Sequence, residues 1–124
     1  MSEKKRILVI DDEVAIQKLL KLELVDQGYA VETSGSAIQG LQILKNECFD
    51  LVILDIKMPG MDGIEALEKI ISTQKGLPVI IHSAFSHFRE NYRTWSAVAY
   101  VVKSGNLDEL IQTVNKILQN KNNK

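Results

Sequence analysis

The chain contains a single cysteine, Cys48, among 124 residues. One thiol cannot close an internal disulfide, and no secretory signal is present, so the expected compartment is the cytoplasm. Cys48 itself is expected as a small buried hydrophobe rather than a reactive group. Charge of one sign is missing too: 15 Lys plus Arg face 16 Asp plus Glu, a net charge of -1. That removes the basic excess with which nucleic-acid binders neutralise phosphates, so no direct DNA binding is expected. Long hydrophobic runs are absent. Stretches such as Ile7–Ile10 and Ala97–Val102 fall far short of a bilayer, and no membrane insertion is expected. Disorder is excluded by a 45% hydrophobic and 25% charged composition. What is there is enough chain to bury roughly two-thirds of its unfolded surface without staples. A single domain is expected over residues 1–124, with a core from about 6 to 119 and short polar tails at Ser2–Arg6 and Asn120–Lys124. That length leaves little room for a second module, so any output is expected to pass through another molecule.

Short β-branched runs alternate with helical periodicity. Ile7–Ile10, Leu51–Leu54 and Val79–Ile81 are continuously apolar, as strands buried on both faces of a parallel sheet must be. Ala30–Thr33 and Val98–Val102 are more mixed, as edge strands would be. Stripes of period 3.6 follow each strand: Ile16, Leu19, Leu20 and Leu24, stopped by Gly28; Ile38, Leu41 and Leu44; Ile64, Leu67, Ile70 and Ile71; and Leu107, Leu110, Ile111, Val114, Ile117 and Leu118. Ser36 with Gln39, Asp62 with Glu65 and Asn106 with Glu109 resemble capping boxes. Between the fourth and fifth strands Phe85, Phe88, Tyr92 and Trp95 fit one face of a short helix, and the run from Phe85 to Tyr100 holds five of the seven aromatics. The expectation is an α/β fold, a doubly wound, flavodoxin-like (βα)5 parallel sheet with helices on both faces. Its strand order is 2-1-3-4-5, which puts a crevice outside the carboxyl ends of strands 1 and 3.

The strand ends carry the chemistry. Strand 1 ends in Asp11-Asp12 with Glu13 next, strand 3 in Asp55, strand 4 in Ser83-Ala84 and strand 5 in Lys103-Ser104. Each alone has an ordinary explanation: Asp12 as a helix N-cap, Asp55 as a turn cap, Ser83 as a loop hydroxyl, Lys103 as a solvated surface lysine. Together they form the set that metal-assisted phosphate chemistry needs. Clustered carboxylates repel in a partly desolvated pocket, and a hard divalent cation such as Mg²⁺ relieves them through oxygen ligands. Lys103 supplies a positive charge and Ser83 a hydroxyl donor. What is missing narrows the class. A flavin or nucleotide carrier of this fold requires a Gly/Ser/Thr-rich phosphate loop after strand 1, where acid stands instead. A phosphatase with a strand-1 aspartate nucleophile requires an Asp-x-Asp pair, also absent. His82 and His87 offer no zinc-ligand spacing, and His82 is expected to pack away from the rim.

From Arg6 to about Gln119 the sequence resembles the receiver domain of bacterial two-component response regulators, especially the single-domain kind represented by the chemotaxis regulator and phosphorelay intermediates. The blocks that carry the resemblance are Ile7–Glu13, Asp50–Gly63, Val79–Ala84 and Ala99–Lys103, and the run Asp55–Gly63 is the most specific. The resemblance implies a phosphorylatable switch rather than a turnover enzyme. Asp55 would accept a phosphoryl group from a sensor histidine kinase or histidine phosphotransfer protein. Asp11, Asp12, Asp55 and the backbone carbonyl of Lys57 would hold Mg²⁺. Ser83 and Lys103 would bind phosphoryl oxygens. Tyr100 would be the aromatic switch that alters the face of the fourth helix, fifth strand and fifth helix for a downstream protein. Lys57 and Phe85 border the phosphoryl group and would tune its lifetime, Phe85 by shielding it. A degenerate receiver that docks without phosphorylation is the alternative; retention of every acceptor-site residue weighs against it. Two positions depart from the family pattern. Ser83 stands where threonine is commoner, and Ser104 where proline usually follows the lysine.

Overall fold

A computed structural model describes residues 4–56, 63–85, 90 and 96–120. Its elements run β1 (Arg6–Ile10), α1 (Val14–Asp26), β2 (Ala30–Ser34), α2 (Ala37–Asn46), β3 (Leu51–Leu54), α3 (Gly63–Thr73), β4 (Val79–Ser83), β5 (Ala99–Val102) and α4 (Asp108–Asn120). The last, α4, is the fifth helix of the sequence reading. The stretch expected to hold the fourth lies largely outside the described residues, with Phe88, Tyr92, Trp95 and His87 in it. Asp62, expected to cap α3, also lies outside them.

Every strand pairing is parallel, and the sheet order is β2-β1-β3-β4-β5, as expected. The apolar runs explain why. Along each inner strand alternate residues face opposite ways, and both directions are buried. Ile7, Val9, Ile53, Ile80 and Val101 pack with Leu20 and Leu24 of α1 and Leu110, Val114 and Leu118 of α4. Leu8, Ile10, Val52, Leu54 and Ile81 pack with Leu44 of α2 and Leu67 and Ile70 of α3. The mixed runs β2 and β5 are the two edges.

Local signals hold where a single residue type is required. Gly28 has φ +101 just past α1, a left-handed conformation that a side chain would strain. Ser36 Oγ accepts from Gln39 N at 3.1 Å to cap α2, and Asn106 Oδ1 accepts from Asp108 N at 2.7 Å ahead of α4. Three expectations need correcting. Leu19 is not in the buried stripe but 42% exposed, because α1 carries apolar residues around much of its circumference (Val14, Leu22 and Val25 are exposed as well) and periodicity alone cannot choose the inner face. Ile38 is likewise exposed, on the outer flank of α2. Cys48 is exposed. It lies in the turn into β3, where its carbonyl accepts from the Arg6 guanidinium at 2.9 Å and its side chain is not needed for the core.

Candidate functional site

The rim residues are held by backbone bonds that continue the sheet one step past its strands. Asp11 N donates to Ser34 O at 3.0 Å, Asp55 N to Ile10 O at 3.0 Å and Lys103 N to Ser83 O at 2.7 Å. Three side chains from β1, β3 and β5 are thereby aimed from a rigid edge into the crevice where the strand order reverses. Asp11, Asp12 and Asp55 each offer a carboxylate oxygen within 4.8 Å of the others. Lys103 Nζ sits among them, 2.9 Å from Asp11 Oδ2 and 3.0 Å from Asp55 Oδ2. A third carboxylate, Glu13, meets the same ammonium at 2.8 Å. The cleft that opens here, about 240 Å³, is lined by Asp12, Glu13, Asp55, Ala84, Phe85 and Lys103.

Among the described residues four carboxylates therefore gather around one ammonium. Asp11 registers the imbalance: burial raises its carboxyl above the ordinary range, Asp55 adds to the rise, and the Glu13 N–H and Lys103 only partly oppose it. Lys103 moves the other way. Burial pulls it down, but hydrogen bonds to Glu13, Asp11 and Asp55 outweigh that and hold it charged well above the usual lysine range. Oxygen-only donors with unbalanced negative charge suit a hard divalent cation, and Asp11, Asp12 and Asp55 are the ones spaced to share it. The larger groove between α2 and α3, about 420 Å³ and lined by Ile38, Leu41, Lys45 and Lys69 among others, has no carboxylate among its described lining residues.

Ser83 and Tyr100 are placed differently from the acids. Ser83 is fully buried and does not line the cleft. Its Oγ accepts from Phe85 N at 3.1 Å. Tyr100 is buried as well, and its hydroxyl donates to the Phe85 carbonyl. The Phe85 residue is thus tied at its N–H by Ser83 and at its carbonyl by Tyr100. Among the described residues no peptide bond is cis. The loop after Lys103 is organised instead by Ser104, whose hydroxyl donates to Asn106 O at 2.8 Å and accepts from Asn106 N at 3.2 Å. Lys57 lies outside the described residues. The cap assigned to Asp12 taken alone is not formed either: Glu13 is the α1 N-cap residue, with no side-chain cap bond.

Sequence reasoning passed over three contributors. Glu13 was visible beside the paired aspartates, but its partner is 90 residues away. Gln17 fixes the Asp11 carbonyl through Nε2 at 2.6 Å, one turn into α1 and without a motif to mark it. Gly63 lets the chain return onto the residue after Asp55: a Cβ there would stand 2.2 Å from Ile56 Cα and 2.3 Å from its carbonyl oxygen. That glycine lay within the most specific sequence block.

Comparison with known proteins agrees with this geometry. Sporulation initiation phosphotransferase F of Bacillus subtilis is 34% identical over 121 residues, which are 96% of this chain and 98% of that protein. Response regulator TrrA of Thermotoga maritima, in a crystal structure with Mg²⁺-BeF, is 44% identical with a TM-score of 0.86, over 91% of this chain and 98% of that one. A crystal structure of histidine kinase ThkA in complex with TrrA matches at 45% identity and a TM-score of 0.84, over 92% and 98% of the two chains. Other relatives are longer. The chain spans about a quarter (26%) of the transcriptional regulatory protein GlrR of Escherichia coli, to which it is 34% identical over 115 residues, 91% of its own length. The family model described as response regulator receiver domain matches residues 7–115, a span that reaches all five strands and every rim residue described above, and the chain belongs to that family.

Proposed function

We propose that the protein is a phosphorylatable signalling switch whose acceptor is Asp55. The observation that carries this is the setting of that carboxylate. Asp55 is buried at the end of β3, 3.0 Å from the Lys103 ammonium, with carboxylate oxygens of Asp11 and Asp12 close enough to share a cation with it. In the transfer an Asp55 oxygen forms a bond to phosphorus as the bond from phosphorus to the donor's imidazole nitrogen breaks, the electron pair leaving with the nitrogen. Asp11, Asp12 and Asp55 would hold Mg²⁺, with the backbone carbonyl of Lys57 as a further ligand. When bound, that ion neutralises charge on the transferring phosphoryl oxygens. Lys103 binds one of those oxygens and Phe85 covers the cleft against water. The donor class is a histidine kinase or histidine phosphotransfer protein, supported by the ThkA–TrrA complex of a relative.

The output runs through Phe85. A phosphoryl group brings nearly two negative charges and three acceptor oxygens. Drawing the Ser83 hydroxyl toward one of them breaks its bond with Phe85 N and loosens the residue whose carbonyl holds Tyr100. The two packings then differ at β5, α4 and the Phe85 segment, which is the surface offered to a downstream protein. Residues 1–124 act in the cytoplasm as one receiver domain whose altered surface is read by a downstream protein. The match over 98% of a phosphotransferase supports a role in phosphoryl transfer. Among the described residues no helix is long and apolar enough to cross a membrane.

The test is incubation with acetyl phosphate and Mg²⁺ followed by intact mass, wild type beside Asp55→Asn. A gain of one phosphoryl group in wild type alone is expected. No gain in wild type, or an equal gain in the variant, overturns the assignment.

A further inference from the structure

Glu13 holds the N-cap position of α1, with extended backbone angles (φ -88, ψ 112), yet forms no side-chain cap bond. Ser, Thr, Asp and Asn are the residues that normally cap there. The Glu13 carboxylate is spent elsewhere, on Lys103 Nζ at 2.8 Å. That contact completes the lysine. An ammonium has three N–H donors, and Asp11 Oδ2, Glu13 Oε1 and Asp55 Oδ2 lie 2.9, 2.8 and 3.0 Å from Nζ.

A phosphoryl oxygen arriving at Asp55 can be bound by Lys103 only if one carboxylate lets go. The three are not equivalent. Side chains of Asp11 and Asp55 are 2% and 6% exposed, so water cannot take the lysine's place at either, and only a cation held between them would compensate the buried charge. The Glu13 side chain is 60% exposed, and water takes the place of the lysine at small cost. Glu13 also lines the cleft that an anionic donor must enter.

We propose that Glu13 is a positioning residue for phosphoryl transfer: a rim carboxylate that holds the Lys103 ammonium in the cleft and yields it to the incoming phosphoryl group. The idea rests on Asp55 being the acceptor. Only hydrogen bonds change at Glu13; the covalent exchange is confined to Asp55, phosphorus and the donor. Holding Lys103 fully occupied restrains labelling until the exchange occurs. Freeing one N–H in advance therefore speeds it.

Two variants separate this contact from charge in general. Glu13→Ala removes both contact and charge. Glu13→Asp keeps the charge but withdraws the carboxylate by one carbon–carbon bond, about 1.5 Å, out of reach of Nζ. Both are expected to take a phosphoryl group from acetyl phosphate with Mg²⁺ about three- to tenfold faster than wild type, the scale set by one partly exposed charge-assisted contact. Both are also expected to bind beryllofluoride more tightly by a similar factor in calorimetry, with urea midpoints near wild type. Unchanged or slower labelling in either variant overturns the proposal; acceleration in Glu13→Ala alone does so by assigning the effect to charge at the rim. Failure of wild type to label strikes at Asp55 as acceptor and takes this proposal with it, whereas a labelled wild type with unaltered variants strikes at Glu13 only.

Discussion

Replacing His82 by leucine and following stability with pH tests how the rim is backed from behind. His82 lies on β4 beside Ser83, 2% exposed, paired in register with Val101, and its buried Nδ1 has no hydrogen-bond partner among the described residues. Burial first, and the nearby Lys103 charge second, push its pKa from 6.5 to about 4, while Glu13 opposes them weakly. The imidazole is thus neutral in the fold at neutral pH. Because the folded pKa lies below the unfolded one, the unfolded chain takes up the proton first as pH falls. Stability is therefore intact above about pH 6.5 and drains away between there and pH 4. For a shift of this size the loss is about 2 kcal/mol by pH 5 and approaches ~3 kcal/mol at lower pH. Leucine has comparable volume and no polar atom to leave unpaired, which at pH 7.5 should add about 1–3 kcal/mol. The assay is urea denaturation of both proteins from pH 7.5 to 4.5. Other carboxylates titrate in this range in both proteins, so the difference between the two curves isolates His82. The variant should start more stable and the gap should widen by about 2 kcal/mol on acidification. Two parallel curves would refute the claim that His82 is held neutral by its surroundings.

Two further outcomes follow from the cleft. Gly63→Ala sets a methyl carbon 2.2 Å from Ile56 Cα and 2.3 Å from its carbonyl oxygen, so backbone must move; a stability loss of about 2–4 kcal/mol is expected in urea titration, with slower labelling at Asp55, and an unshifted midpoint would show that the chain crosses there with room to spare. Phe85→Ala uncovers the cleft it shares with Asp55 and Lys103. Loss of the phosphoryl group, followed by intact mass after removal of acetyl phosphate, should then be faster by several-fold, on the order of 1 kcal/mol in barrier, and an unchanged rate would end the shielding idea.

The sheet was legible because burial on both faces leaves no polar position in Ile7–Ile10 or Leu51–Leu54, and continuous apolar runs of that length suit parallel strands. Strand order and the acid-bearing rim followed from the crevice rule together with the residues just past each strand. The inner face of α1 was harder to read. Val14, Leu19, Leu22 and Val25 are exposed while Leu20 and Leu24 are buried, and a helix apolar on several sides gives periodicity nothing to lock onto. Side-chain direction was beyond reach as well. Nothing local says that Ser83 Oγ turns to Phe85 N instead of the cleft, or that Glu13 forgoes its cap for a lysine 90 residues away. Those choices are made by contacts between segments far apart in sequence, which composition and spacing do not encode.

The near-neutral total charge conceals how these contacts are used. Among the described residues the fold brings one ammonium, Lys103, against the carboxylates of Asp11, Glu13 and Asp55. A site balanced by several lysines would bind phosphate strongly in every state and respond little to its arrival, since differential affinity is what moves an equilibrium. A site with one lysine and excess acid does the opposite. In the proposed switch it would repel free phosphate, call for a divalent cation to admit a phosphoryl group, and make Lys103 change partners when the group comes. The partner most cheaply exchanged sits at the start of α1, and the hydroxyl that would follow the phosphoryl group holds the Phe85 N–H. On the proposed assignment of Asp55, arrival of the phosphoryl group is a rearrangement of α1, the Phe85 segment and β5, and not simple occupancy of a pocket.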